Sequence, residues 1–169
     1  LVPLELRRLW SLQGFYPNKS AFQLFAKHAV QQPDKLAVVT PDEEINYRTL
    51  YETTLCLVSG FKNLGIVNGD VIAYQLPNSW HGCAIDLAAA ALGAIVVPFP
   101  PGRGALDIES MLRRSHARAF IFSFESDPTI QETLEIITPK LQSLRYLIPF
   151  SDPPQINSIP EQSGHQPSI

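Results

Sequence analysis

The chain has 169 residues, a formal net charge of −3 and a hydrophobic content of 45%. This length and composition fit one domain with a buried core, or an incomplete part of a larger domain. Because there is no excess of basic residues to neutralise a phosphate backbone, the composition disfavours nucleic-acid binding.

Residues 1–19 form a lead-in segment, and the first regular element predicted after it is a helix. Ser20 is a suitable N-cap, and apolar residues then recur at helical spacing as far as Ala29. We expect the lead-in to be held to the domain by apolar side chains. These anchors are Leu9, Trp10, Phe15 and Tyr16.

A hairpin and a second helix are predicted next. Residues 36–40 and 44–45 are strand-like, and the turn between them begins with Pro41. Asn46 can cap the following helix, and Gly65 stands where a residue in the left-handed conformation would end it.

From residue 71 onward, predicted strands and helices alternate. Such alternation indicates right-handed crossovers and a parallel sheet covered by helices. The predicted fold class is therefore α/β, a mostly parallel helix-covered sheet with a short hairpin near the start. The strands are residues 71–76, 94–97, 119–123 and 145–148, and the helices between them begin near Ser79, Leu106 and Ile130.

The composition changes after Pro149, where further prolines stand among Ser, Gln and Asn. Such a segment buries too little apolar surface to offset the entropy of ordering it. We assign residues 20–149 to an incomplete α/β subdomain and residues 150–169 to a Pro/Ser-rich linker or tail.

Two features of the sequence indicate the cellular compartment of the protein. The most apolar stretch, residues 84–99, carries Asp86 and Pro98 and is too short to span a bilayer. Cys56 and Cys83 lie in predicted helices without metal-site spacing, so we expect small buried thiols of a reducing compartment. We therefore predict a cytoplasmic protein without a membrane span.

The candidate site lies where the first parallel strand ends, because ligands of parallel sheets gather at the carboxyl ends of strands. Asn78 and Ser79 follow that strand, and His81 lies in the first turn of the helix that Ser79 opens. We interpret these three residues as the rim of a substrate pocket. The alternative is that Ser79 is a simple N-cap and that His81 lies at the edge of its helix.

The segment 100–104 follows the second parallel strand and contains Gly102 and Arg103. A glycine loop at this place can cradle a phosphate, with the arginine assisting. The spacing matches neither the dinucleotide fingerprint nor the P-loop, so a structural turn is the favoured interpretation. The residue pattern predicts no metal site and no serine nucleophile. Three arginines are interpreted as a solvated face: Arg113, Arg114 and Arg118.

The order of several segments resembles the beginning of the adenylate-forming superfamily, which includes acyl- and aryl-CoA synthetases, luciferases and nonribosomal-peptide adenylation domains. Ile45-Asn46-Tyr47-Arg48-Thr49-Leu50 is similar to the family's "T-Y-x-E-L" motif, with Thr49 in place of the usual acidic residue. Ala91-Leu92-Gly93-Ala94-Ile95-Val96-Val97-Pro98 is similar to its second motif. The other matching segments are residues 22–25, 32–38, 64–73, 76–79 and 117–121.

The resemblance implies that the whole protein activates a carboxylic acid with ATP and Mg²⁺ to acyl-AMP, and that the thiol of CoA or of an acyl or peptidyl carrier protein then accepts the acyl group. The family's phosphate loop, ribose-binding aspartate and catalytic lysine lie further along such chains and cannot be mapped here. We therefore expect an N-terminal fragment that is inactive alone and carries no catalytic, cofactor-binding or metal-ligating residues. Its partners would be the remainder of the adenylating domain, the acceptor thiol and a small carboxylic acid.

Within that resemblance, Asn78, Ser79 and His81 would lie at the rim of the substrate or pantetheine channel. The lead-in resembles aryl acid–AMP ligases, whereas Pro98-Phe99-Pro100-Pro101 resembles fatty acid–AMP ligases, and aryl or small acids rank slightly ahead. One alternative is a non-catalytic interaction domain derived from such an enzyme, which binds a carrier protein or a partner subunit. Another is an unrelated doubly wound nucleotide or small-molecule binder.

Overall fold

The computed structural model describes residues 2–15 and 19–150. The predicted tail, residues 150–169, lies outside the described residues except for Phe150, and the proposed anchor Tyr16 also lies outside them. The helices are α1 (Leu4–Leu12), α2 (Ala21–Gln31), α3 (Tyr47–Asn63), α4 (Trp80–Leu92), α5 (Ala105–Ser115) and α6 (Ile130–Ile137), with a short 3₁₀ turn at Thr138–Lys140. The strands are β1 (Leu36–Val39), β2 (Glu44–Asn46), β3 (Val71–Gln75), β4 (Ile95–Pro98), β5 (Ala119–Phe122) and β6 (Tyr146–Pro149).

The strands form two sheets. β1 and β2 pair antiparallel as a hairpin, and the other four strands form a parallel sheet in the order β4-β3-β5-β6. The predicted α/β class, with a mostly parallel sheet and a short hairpin near the start, is confirmed. β3 and β5 are the inner strands, and β5 is buried at all four positions, as expected of a strand covered on both faces.

The parallel sheet separates two hydrophobic cores. Side chains alternate across a strand, so Ile72 and Ile121 enter one core and Ala73 and Phe120 enter the other. The first core lies against α3 and α4, and the second core lies against α5 and α6.

Two predicted N-caps are present. Ser20 and Gln23 form a capping box at the start of α2, and the Asn46 side chain accepts the backbone N–H of Thr49 at 2.9 Å. Ser79 precedes α4 but makes no side-chain capping bond. Its side chain therefore does not satisfy the first N–H groups of that helix.

The lead-in differs from its prediction. Leu4–Leu12 is helical and has no buried residue. The expected anchors Leu9, Trp10 and Phe15 are 46%, 39% and 80% exposed, so the prediction that they hold the segment to the domain is wrong. Spacing alone cannot reveal whether a partner surface exists for an apolar side chain.

Arg118 is not part of a solvated face. Its guanidinium donates hydrogen bonds to both carboxylate oxygens of Asp70, at 3.3 and 3.2 Å. The backbone N–H of Arg118 also donates to the Val71 carbonyl at 2.8 Å. These contacts join the amino ends of β3 and β5, which lie far apart in the sequence.

Cys56 and Cys83 are free thiols, and both are exposed, so the prediction that they are buried is wrong. Each lies on the outward face of a helix whose opposite face enters the first core. Within the described residues, no helix combines the length and the apolar character needed to cross a bilayer.

Candidate binding cleft

A cleft of about 630 Å³ opens at the carboxyl ends of β3 and β4. One wall is the connection from β3 into the first two turns of α4, and the other wall is the segment Pro98 to Pro101. Leu76, Phe99 and four prolines make much of the lining apolar. The polar groups of the lining come from Tyr74, Asn78, Ser79, Cys83 and Asp86.

Backbone and side-chain bonds from β3 position the second wall. The Phe99 N–H donates to the Tyr74 carbonyl at 3.0 Å, which continues the parallel pairing past the end of β4. The side chain of Gln75 is 1% exposed, and its Nε2 donates to the Pro100 carbonyl at 3.3 Å. Since a buried amide costs free energy unless it is hydrogen-bonded, this contact favours one position of the proline segment.

Tyr74 and Asp86 form the polar pair of the cleft. The phenol of Tyr74 donates to Asp86 Oδ1 at 3.0 Å, across one turn of α4 that contains Gly82. A Cβ atom at residue 82 would lie 3.5 Å from the phenol oxygen, so alanine would fit there in ordinary van der Waals contact, whereas a longer side chain would crowd the pair.

Burial and the nearby carboxylate together raise the pKa of the Tyr74 phenol above its ordinary range. Burial also raises the pKa of the Asp86 carboxyl, and the hydrogen bond from Tyr74 offsets part of that effect. At neutral pH the Tyr74 phenol therefore keeps its proton and donates it in a hydrogen bond to the partly desolvated carboxyl group of Asp86.

The structure brings two of the three predicted rim residues together. Asn78 and Ser79 line the cleft, whereas His81 does not. The His81 ring is 5% exposed and lies against Trp80, with 3.9 Å between ring centroids, and against the edge of Phe150 at 4.9 Å. His81 is thus part of the packing between α4 and the end of β6.

The predicted loop after β4 is divided between two roles. Pro100 and Pro101 line the cleft, but Gly102, Arg103 and Gly104 do not. Gly102 has a positive φ of 79°, and Gly104 precedes the first residue of α5. This geometry is that of the structural turn favoured from the sequence.

Sequence reasoning missed Tyr74 and Asp86. Both stand inside regular elements, where Tyr74 fits a strand and Asp86 is one polar residue of an apolar helix. The available signal was Asp86 itself, since a lone carboxylate in so apolar a helix has to face water or a polar partner.

The cleft does not fit the triphosphate of ATP. Asp86 is the charged side chain among its described lining residues, and a carboxylate repels phosphate oxygens. In residues 2–15 and 19–150, no group of three or more His, Cys, Asp or Glu residues is arranged to hold a metal ion. The described lining of the cleft therefore suits a ligand group that is uncharged or that carries hydrogen-bond donors.

Comparison with known proteins gives one family. The sequence profile of the family described as "AMP-binding enzyme" matches residues 25–168. A curated relative is the medium-chain fatty-acid–CoA ligase of Escherichia coli K12, which is 30% identical over 117 residues. That alignment covers 69% of this chain and 21% of the ligase.

Solved structures agree with the fold. The fatty acyl CoA synthetase of Mycobacterium tuberculosis superposes with a TM-score of 0.71 at 24% identity, over 79% of this chain and 26% of the synthetase. The NpsA N-terminal subdomain of Klebsiella oxytoca, solved with 3-hydroxyanthranilyl-AMSN, gives 0.58 at 26% identity, over 62% and 27% of the two chains. The chain thus spans about a quarter of the length of these structures.

Proposed function

Since this chain belongs to the AMP-binding enzyme family, we propose that it is the N-terminal part of an enzyme that joins a carboxylic acid to AMP and passes the acyl group to a thiol. The observation that carries the proposal is the family match over residues 25–168, on a fold that superposes on about a quarter of a larger synthetase and on a structure titled an N-terminal subdomain. The acceptor would be CoA or the pantetheine arm of a carrier protein.

The role of this segment would be to form one wall of the substrate path. Asn78 and Ser79 lie on the rim of a cleft whose other wall is the proline segment. An amide and a hydroxyl between apolar surfaces can orient an amide-containing chain such as pantetheine. His81 packs beneath this rim and would support it without touching the ligand.

The relatives support two classes of carboxylic acid substrate. The E. coli ligase is named for medium-chain fatty acids, and the Klebsiella subdomain was solved with a hydroxyanthranilyl analogue. We keep aryl or small acids slightly ahead of aliphatic acids, as the lead-in resemblance implies.

ATP and Mg²⁺ are the cofactors that we propose for the whole enzyme. The described residues of the cleft do not supply the cationic groups that such a reaction needs to stabilise charge on the phosphates. We therefore propose that the 169 residues do not catalyse adenylation alone, and that the remainder of the domain is their main partner. A cytoplasmic setting would suit the two exposed free thiols.

ATP–pyrophosphate exchange tests this proposal. The purified 169-residue chain should show no exchange with benzoate, 3-hydroxyanthranilate or octanoate. The product of the complete reading frame that contains the chain should exchange with at least one of them. Exchange by the chain alone would contradict its inactivity, and failure of the complete product with every acid would contradict acid activation.

The rim is tested by single substitutions in that complete product. Asn78→Ala and Ser79→Ala should each raise the KM for the acceptor thiol roughly two- to tenfold, as expected for one lost hydrogen bond. Asn63→Ala is the matched control, because Asn63 is an exposed asparagine at the end of α3. Equal kinetics in all three variants would remove the rim from the substrate path.

A further inference from the structure

The proline segment, residues 98–101, forms one wall of the cleft and is firmly held at its beginning. Pro98 pairs with Tyr74 in the parallel sheet, and the Phe99 N–H donates to the Tyr74 carbonyl at 3.0 Å. The Phe99 ring is 4% exposed and stacks on Phe120. These contacts fix the first half of the segment to the sheet.

The second half of the segment depends on one hydrogen bond. Pro100 and Pro101 have no backbone N–H, so they can be held only through their carbonyl groups or by packing. Pro100 is exposed and Pro101 is half-buried, so packing holds them weakly. In the part of the chain that the structure describes, the bond from Gln75 Nε2 to the Pro100 carbonyl is the one hydrogen bond that reaches either proline.

The amide of Gln75 has no other hydrogen-bonding role within residues 2–15 and 19–150. Its side chain is 1% exposed, and its buried Oε1 accepts no hydrogen bond from these residues. A buried polar atom without a partner lowers stability, so an apolar side chain of similar length would suit this position of β3 at least as well. What such a side chain could not do is hold the Pro100 carbonyl.

From these observations we propose that Gln75 is a positioning residue that sets the width of the cleft. Its amide is fixed by burial at the end of β3, and it keeps the proline segment at a set distance from Asn78 and Ser79 on the opposite wall. Gln75 does not line the cleft itself and so acts through the segment. The inference rests on the proposed function, because the ligand between the walls is taken to be the pantetheine arm of the acceptor.

Loss of this hydrogen bond should loosen one wall of the cleft without loosening the core. A ligand that enters a loose cleft has to order the wall as it binds, and that ordering opposes binding. The affinity for the acceptor should therefore fall. Activation of the acid should not change, because we assign its charge-stabilising groups to the remainder of the domain.

Proteolysis of the 169-residue chain reports on the wall without any activity. Arg103 is exposed just beyond the segment, so the rate of tryptic cleavage after it measures how mobile this part of the chain is. Gln75→Met should speed this cleavage roughly two- to tenfold, the range expected for one lost hydrogen bond. The urea midpoint should stay the same or rise, and cleavage after the exposed Lys62 at the end of α3 should not change.

Ile72→Val is the matched control. Ile72 is fully buried on the same strand and packs in the first core, so this variant should lower the urea midpoint. It should leave cleavage after Arg103 and the KM for the acceptor unchanged. The two variants thus separate the position of the wall from the stability of the fold.

Thioester formation by the product of the complete reading frame gives the second measurement, with pantetheine as the acceptor. Gln75→Met should raise the KM for pantetheine roughly two- to tenfold. The kcat and the rate of ATP–pyrophosphate exchange should stay unchanged, as expected when a variant loses binding and not transition-state stabilisation.

Three results would overturn the proposal: native rates of cleavage after Arg103 in Gln75→Met, a native KM for pantetheine in that variant, or a urea midpoint that falls as far as in Ile72→Val. Failure of the proposed function looks different. In that case the native complete product would exchange pyrophosphate with none of the acids, while faster cleavage after Arg103 in Gln75→Met would still support the positioning role.

Discussion

Tyr74 shows how one half-buried phenol couples the cleft to the stability of the fold. Its hydroxyl donates to Asp86, and burial together with that carboxylate raises the pKa of the phenol. The unfolded chain releases this proton near pH 10, its ordinary value, whereas the folded chain keeps it to higher pH. The stabilisation from the neutral phenol is therefore complete below about pH 10 and is lost as the pH rises further.

Tyr74→Phe should remove this dependence on pH. Between pH 9 and pH 11 the free energy of unfolding of the native chain should fall more than that of the variant. Between pH 7 and pH 9 the two proteins should differ much less in this change. Urea denaturation of both proteins across this range measures the effect, and other tyrosines cancel because both proteins contain them. Parallel curves for the two proteins would show that the phenol titrates normally in the folded state.

Single residues also show what a sequence conceals. His116 ends α5 with a positive φ of 53°, a conformation usually reserved for glycine, and no pattern predicted it. By contrast, Gly65 was placed correctly at the end of α3, where its φ is 69°. The identity of a glycine carries backbone information, and that of a histidine does not.

At the scale of elements, the N-caps of α3 and α4 differ although their sequences suggested the same role. Asn46 accepts a hydrogen bond from the backbone of Thr49, whereas Ser79 accepts none and lines the cleft. The connection into α4 therefore leaves the Ser79 hydroxyl available to a ligand.

Replacing each cap with alanine tests this difference. Asn46→Ala should lower the free energy of unfolding by about 1 kcal/mol, because the first turn of α3 loses its acceptor. Ser79→Ala, the matched control, should cost only a few tenths of a kcal/mol. Chemical denaturation at neutral pH measures both values, and equal losses would mean that Ser79 also caps its helix in solution.

At the scale of the whole molecule, one sheet joins two cores. Phe120 is fully buried in the second core and stacks on Phe99 at 5.5 Å, while Trp80 belongs to the first core on the other face. Because neighbouring residues of β3 and β5 enter opposite cores, neither core can lose its packing without disturbing the strands that support the other. The domain should therefore unfold in a single transition.

Phe120→Leu should lower the stability by roughly 1–2 kcal/mol, and Trp80 fluorescence and circular dichroism should report the same shift of the urea midpoint. The measurement is made with Trp10→Phe in the background, so that Trp80 gives the signal. Phe124→Leu is the control, since Phe124 is 43% exposed and should cost less. An unchanged Trp80 transition in Phe120→Leu would mean that the two cores unfold separately.

The sequence by itself determined the order of strands and helices, the parallel sheet, two of the caps and the family, because these depend on local spacing and on short motifs. Within the candidate site it pointed to Asn78 and Ser79, which line the cleft, and their role at the rim of a substrate path stays a prediction. Only the tertiary structure decided which helix faces are covered, and hence that the two cysteines are exposed, that His81 is buried and that α1 has no buried side chain. It also decided the pairings of Tyr74 with Asp86 and of Asp70 with Arg118, because burial and contacts between distant residues depend on how the elements pack and not on the periodicity of any one of them.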